Sequence, residues 1–93
     1  MYAVTFDIDT NCLNNEYHTQ SSNNAYKDIR VFMELNNFKW QQGSVYFGNE
    51  TINAVSCVLT VQELSKKYSW FAACVKDVRM LKIQENNDLT PVL

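Results

Sequence analysis

Apolar and polar positions alternate with a period of two in the opening stretch, MYAVTFDID. Tyr2, Val4, Phe6 and Ile8 share one face of an extended chain, and Ala3, Thr5, Asp7 and Asp9 share the other. The spacing predicts a strand over residues 2–9 with one face in a core. Residues 10–21 are polar and read as a loop. From Ser22 the period changes. Ala25, Ile29, Phe32 and Met33 form one apolar stripe at helical spacing, with Ser22 or Asn24 as cap and Asn36-Asn37 suited to a left-handed end. In FKWQQGSVYF, Phe38 and Trp40 alternate with Lys39 and Gln41, and Val45 and Phe47 with Ser44 and Tyr46. Gln42-Gly43 between them predicts a tight hairpin turn.

The stretch 51–67 fits both periods: Ile52, Val55, Leu59 and Leu64 near helical spacing, Val55, Cys57, Leu59 and Val61 at strand spacing. Its length, and Lys66 and Lys67 near its end, favour a helix. A short helix capped by Ser69 and a strand over 77–83 follow, then a polar-to-apolar tail. The order β-α-β-β-α-β is the ferredoxin-like arrangement, an α+β fold with a four-stranded antiparallel sheet and both long helices on one face. One domain, 1–93, is expected. Ala3, Thr5 and Asp7 then line the open face, which a second copy is expected to close. Asp7 would look into the cleft between the sheets, where a carboxylate costs desolvation unless it is hydrated, paired or used.

Composition refines this picture. The chain has 93 residues and is 46% hydrophobic, enough for a modest core that makes oligomerisation an expectation. Cys12, Cys57 and Cys74 have no zinc-type spacing, and Cys57 and Cys74 read as buried thiols. No signal peptide or membrane-length apolar run is visible, so a cytoplasmic location away from membranes is expected. The formal net charge is -2 and the pI near 5.2, which argues against a nucleic-acid binder held by a broadly basic surface. Charge is nonetheless local: residues 66–82 hold Lys66, Lys67, Lys76, Arg79 and Lys82 against Asp77 alone.

The segments MYAVTFDID, AYKDIR, FKWQQGSVY and WFAACVKDVRMLKI, in this order, resemble the virulence-associated protein D (VapD) family. That resemblance implies a ferredoxin-like homodimer with endoribonuclease activity, the toxin of a toxin–antitoxin pair, opposed by a small antitoxin protein. A more distant likeness is to the small ferredoxin-like nuclease subunit of CRISPR adaptation. That family also carries an aspartate at the end of its first strand and a Gln-x-Ser-Val-aromatic motif, matched here by Gln42-Gly43-Ser44-Val45-Tyr46.

Asp7 is the candidate catalytic carboxylate and possible metal ligand; its competing role is a strand-end cap or an ion pair with Arg79. Ser44 is the second catalytic candidate, able to bind phosphate or orient water, unless it only serves the turn. Gln42, Tyr46 and Arg79 are the expected substrate contacts: an amide, a base-stacking ring and a phosphate-binding guanidinium. Arg30 is expected to be solvated or paired with Glu34, and Trp70 and Phe71 to be core. His18, the only histidine, lies in the polar loop. Two chemical routes stay open: Mg2+-assisted hydrolysis, or attack by the RNA 2′-OH, which needs a base and a charge stabiliser. The alternative class is a non-enzymatic dimer that acts as a nucleic-acid or protein scaffold.

Overall fold

A computed structural model describes residues 1–16 and 22–93. In chain order the elements are β1 (Tyr2–Ile8), α1 (Thr10–Glu16), α2 (Ser22–Leu35), β2 (Phe38–Gln42), β3 (Val45–Gly48), α3 (Ala54–Lys67), α4 (Ser69–Cys74) and β4 (Val75–Lys82), then a 3-10 turn, Thr90–Val92. The sheet runs β2-β3-β1-β4 with every neighbouring pair antiparallel. This is the ferredoxin-like α+β fold the element order predicts.

The period-2 pattern of β1 decides where the core lies. Val4, Phe6 and Ile8 are buried beneath the helices, while Asp7 is exposed on the opposite side. The Phe6 ring stacks on Tyr46 and meets Phe71 edge-on, both with centroids 5.7 Å apart. The α2 stripe delivers Ala25, Ile29 and Met33 to this core, all fully buried. Asn37, at φ 71°, closes α2 in the left-handed conformation, and the Asn36 side-chain amide donates to the Phe32 carbonyl at 2.8 Å. The 51–67 stretch is helical from Ala54. Asn53 caps it: its side chain accepts from the Ser56 backbone at 2.8 Å, and Ser56 Oγ accepts from the Asn53 backbone. Trp70 and Phe71 are core, as expected.

Four expectations need correction. Residues 10–16 are helix α1, not loop. Asp9 Oδ1 accepts from the Asn11 and Cys12 backbones at 2.9 and 3.1 Å, which satisfies two otherwise orphaned N–H groups, and Leu13 anchors the turn in the core. Cys74 is not a free thiol: it is disulfide-bonded to Cys12, 62 residues earlier, with Cα atoms 5.4 Å apart. Cys57 alone stays free and buried, and burial pushes its thiol pKa up. The hairpin turn is Gly43-Ser44, with Gly43 at φ 50° and a register shift between Trp40 and Gln42. Helix α4 begins at Ser69, but the cap position is Tyr68, with no side-chain cap hydrogen bond. His18 lies outside the described residues.

Two stability predictions follow from this packing. A Cβ built on Gly48 would sit 2.7 Å from Ile52 Cβ, an atom that cannot swing away. Gly48→Ala should therefore destabilise the fold by about 1–3 kcal/mol, measured by urea unfolding. With the disulfide formed, a thiol reagent should find no reactive group in the native chain and one after denaturation, the buried Cys57. Reduction should lower the melting temperature, since closing so long a loop contributes about 4 kcal/mol in the chain-entropy picture.

Candidate functional site

The end of the sheet where β1 finishes and β3 and β4 begin collects most of the expected site residues. Asp7 stands at this end, exposed, on the face away from the core. Its register partner on β4 is Asp77, and Arg79 lies opposite Thr5. Arg79 Nε donates to both Asp77 oxygens, at 2.9 and 3.1 Å. The β4 guanidinium thus neutralises Asp77, not Asp7, and among the described residues no ion pair reaches Asp7. The competing structural role for Asp7, a pair with Arg79, is absent.

The hairpin turn borders the same end. The Phe6 backbone N–H donates to the Ser44 carbonyl at 3.2 Å, which sets Ser44 beside the residue preceding Asp7. Trp40 Nε1 donates to the Gly43 carbonyl at 2.8 Å and ties the indole to the turn. Gln42 is exposed and pairs with Val45 beyond the bulge. Tyr46 occupies the helix-covered face, opposite the arrangement that would free its ring for stacking on a base. The ring is buried against Phe6; burial raises the phenol pKa, and the nearby Arg30 opposes that rise.

Sequence reasoning missed Arg30. It does not pair with Glu34. Its guanidinium stacks over the Trp40 ring, 3.8 Å from Cζ to centroid. Arg30, Trp40, Tyr26, Gly43, Ser44 and Tyr46 together line a cavity of ≈ 380 Å³ under the hairpin. A helix residue meeting a strand residue leaves no spacing signal; only an exposed Trp beside a turn hinted at a role.

The open side is not bare along its whole width. Asn86, Asn87, Asp88 and Leu89 line a cavity with Gln41, Gln42, Val45 and Phe47, so the tail passes in front of β2 and β3. β4 is the sheet edge, and Val78, Met80 and Leu81 are exposed along it. No three metal-ligating side chains cluster among the described residues. Asp7 by itself suits only a cation that takes the rest of its oxygens from water and phosphate, as Mg2+ does. No helix among the described residues is long and apolar enough to cross a membrane.

Comparison with known proteins gives the family. The profile of the family described as CRISPR associated protein Cas2 matches residues 1–90. A protein from Helicobacter pylori named Endoribonuclease VapD homolog is 68% identical over 93 residues, covering 100% of this chain and 96% of that protein. Endoribonuclease VapD 2 of Riemerella anatipestifer is 60% identical, covering 100% and 99%. Endoribonuclease VapD of Dichelobacter nodosus is 33% identical, covering 100% and 97%. With residues 1–90 matched by the profile and relatives at 33–68% identity matched over nearly their whole length, the chain belongs to the VapD family and to the one that the CRISPR associated protein Cas2 profile describes.

Proposed function

We propose that this protein is an endoribonuclease and that Asp7 is its working carboxylate. The observation that carries the residue assignment is that Asp7 is exposed at the end of the central strand, while its neighbour Asp77 is already neutralised by Arg79. An uncommitted carboxylate near a turn that offers the Ser44 hydroxyl suits proton abstraction from an attacking oxygen. Ser44 and Gln42 border that position and are the candidates to hold the phosphate or the attacking group. Arg79, balanced by Asp77, contributes directional N–H donors more than net charge.

For the cleavage itself, Asp7 takes the proton from the RNA 2′-OH, whose oxygen attacks the adjacent phosphorus; the 5′-oxygen leaves with a proton from water as a 5′-hydroxyl, and a 2′,3′-cyclic phosphate remains. Should Mg2+ take part, Asp7 is the residue that would hold it, and it would supply charge neutralisation at the phosphate. Chemical analysis of the cut ends decides between this route and direct hydrolysis, which leaves no cyclic phosphate.

The same proposal includes a homodimer through the open face and its adjoining β4 edge. Support comes from Leu81, exposed and apolar on the open face opposite Ala3, and from an edge strand whose outer backbone groups have no strand partner within the described chain; Val78 and Met80 stand on the helix side, opposite Phe6 and Val4. It also includes a small antitoxin protein that restrains the enzyme and a cytoplasmic site of action, as the resemblance to toxin–antitoxin proteins implies; in that reducing milieu Cys12 and Cys74 would stand as adjacent thiols, with the Asp9–Cys74 backbone hydrogen bond as the remaining link.

Asp7→Asn should lower RNA cleavage by about 10²–10⁴-fold, the usual size of a lost general base. Asp77 faces Asp7 across the strands, and removing one of two like charges should leave the melting temperature unchanged or slightly raised. An Asp7→Asn protein that cuts normally and melts earlier would refute the assignment. Retention of RNA by the parent chain without any cleavage would favour the scaffold reading instead. Sedimentation should show a dimer at micromolar protein, and Leu81→Glu, on the open face, should shift it toward monomer.

A further inference from the structure

The cavity beneath the hairpin shares Ser44 with the Asp7 site, but its other lining residues take no part in the Asp7 chemistry, and that lining is specific. The chain carries ten acidic side chains, but among the described residues none is in an ion pair with Arg30. The guanidinium is held instead over the face of Trp40, which is itself fixed by its hydrogen bond to Gly43, and the buried Tyr46 lines the same cavity. Stacking uses the flat face of a guanidinium and leaves its in-plane N–H fork available. Tyr26 and Ser44, both half-buried, add hydroxyls to the same cavity. A preoriented cation and the hydroxyls of Tyr26, Ser44 and Tyr46, with no carboxylate in the lining and Glu34 one turn further along α2, make a lining matched to a phosphate oxygen pair. One face of the indole is covered by Arg30, which disfavours a stacked base there.

The cavity is also mechanically joined to Asp7. Trp40 is bonded to Gly43, the next residue is Ser44, and Ser44 is bonded to Phe6, the residue before Asp7. We propose that the Arg30 corner binds a phosphodiester of the RNA strand flanking the one cleaved at Asp7, the strand passing over the Gly43-Ser44 turn from the open face to the helix side. This inference rests on the endoribonuclease reading and adds a binding site to it. Arg30 is a binding residue in this scheme, and Trp40 positions it.

The test is RNA binding by the full chain carrying Asp7→Asn, so that cleavage does not blur the titration. A labelled single-stranded RNA is titrated by anisotropy across a series of salt concentrations. Adding Arg30→Gln should weaken binding by about tenfold and flatten the salt dependence by about one phosphate contact. Arg30→Lys should restore the slope and only part of the affinity, because an ammonium lacks the fork. If Arg30→Gln melts early, Tyr26→Phe, which removes one hydroxyl, decides with Arg30→Lys. The former should weaken binding several-fold without changing the slope. Parental affinity and slope in folded Arg30→Gln, or parental affinity in both substitutes, would overturn the subsite and leave the nuclease standing. A chain that neither binds nor cuts RNA would overturn both.

Discussion

Everything in this molecule hangs on one strand with two opposed demands. β1 pairs with β3 on one side and β4 on the other, so it cannot move without dismantling the sheet. Its even-numbered positions must be apolar, because Val4, Phe6 and Ile8 lie under the helices among Tyr46, Phe71 and the α2 stripe. Its odd-numbered positions face the other side of the sheet, where Ala3 is fully buried, Thr5 half-buried and Asp7, the last of them within the strand, exposed. A carboxylate placed there is exposed to solvent, yet it inherits the rigidity of the most constrained element in the fold. Loops place chemistry more freely but less accurately.

The chain directly after Asp7 is fixed with unusual economy. Asp9 serves two contacts at once: its side chain caps α1, and its backbone N–H donates to the Cys74 carbonyl at 3.0 Å. Cys12, one turn later, bonds covalently to the same Cys74. Two links of different chemistry therefore hold the exit of β1 against the junction of α4 and β4. That junction carries Lys76 and Asp77, so the geometry opposite Asp7 depends on the same clasp. This also explains why Asp9, although it lies one pleat from Asp7, is a structural residue: its carboxylate is already engaged by backbone donors.

Legibility followed range. The strand-helix-strand-strand-helix-strand order and the burial of β1, α2, Trp70 and Phe71 came from local periodicity, which is where sequence patterns report directly on structure. The face of Tyr46 was not legible, because Val45, Tyr46 and Phe47 are all apolar enough to sit on either side, and a bulge between Trp40 and Gln42 shifts the register that would have told them apart. Helix α1 was hidden by polar residues; its one sequence sign was Asp9 placed ahead of Leu13. The Cys12–Cys74 bond and the Arg30–Trp40 stack join residues from different elements, and no spacing rule reaches across such distances. The exposed Asp7 was readable, and period-2 spacing already put Asp77 on the face of Arg79; the choice between Asp77 and Asp7 as its partner was not readable and is made by the two hydrogen bonds to Asp77.

The charge pattern then acquires a different meaning. Along the sequence, residues 66–82 look like a basic strip able to draw in a polyanion. In space, Lys66 pairs with Glu63 at 3.3 Å and Arg79 with Asp77, so two of the five cations are offset by their own neighbours. An acidic chain with its cations partly cancelled generates little long-range attraction, and salt would screen what remains within about 10 Å. RNA recognition by such a surface has to rely on short-range contacts with donors held in place beforehand. The guanidinium stacked on Trp40 and the donors of the Gly43-Ser44 turn are of that kind. The fold spends its rigidity on fixing a few groups around one carboxylate, and an acidic protein can act on a polyanion only if that economy of contacts is accurate.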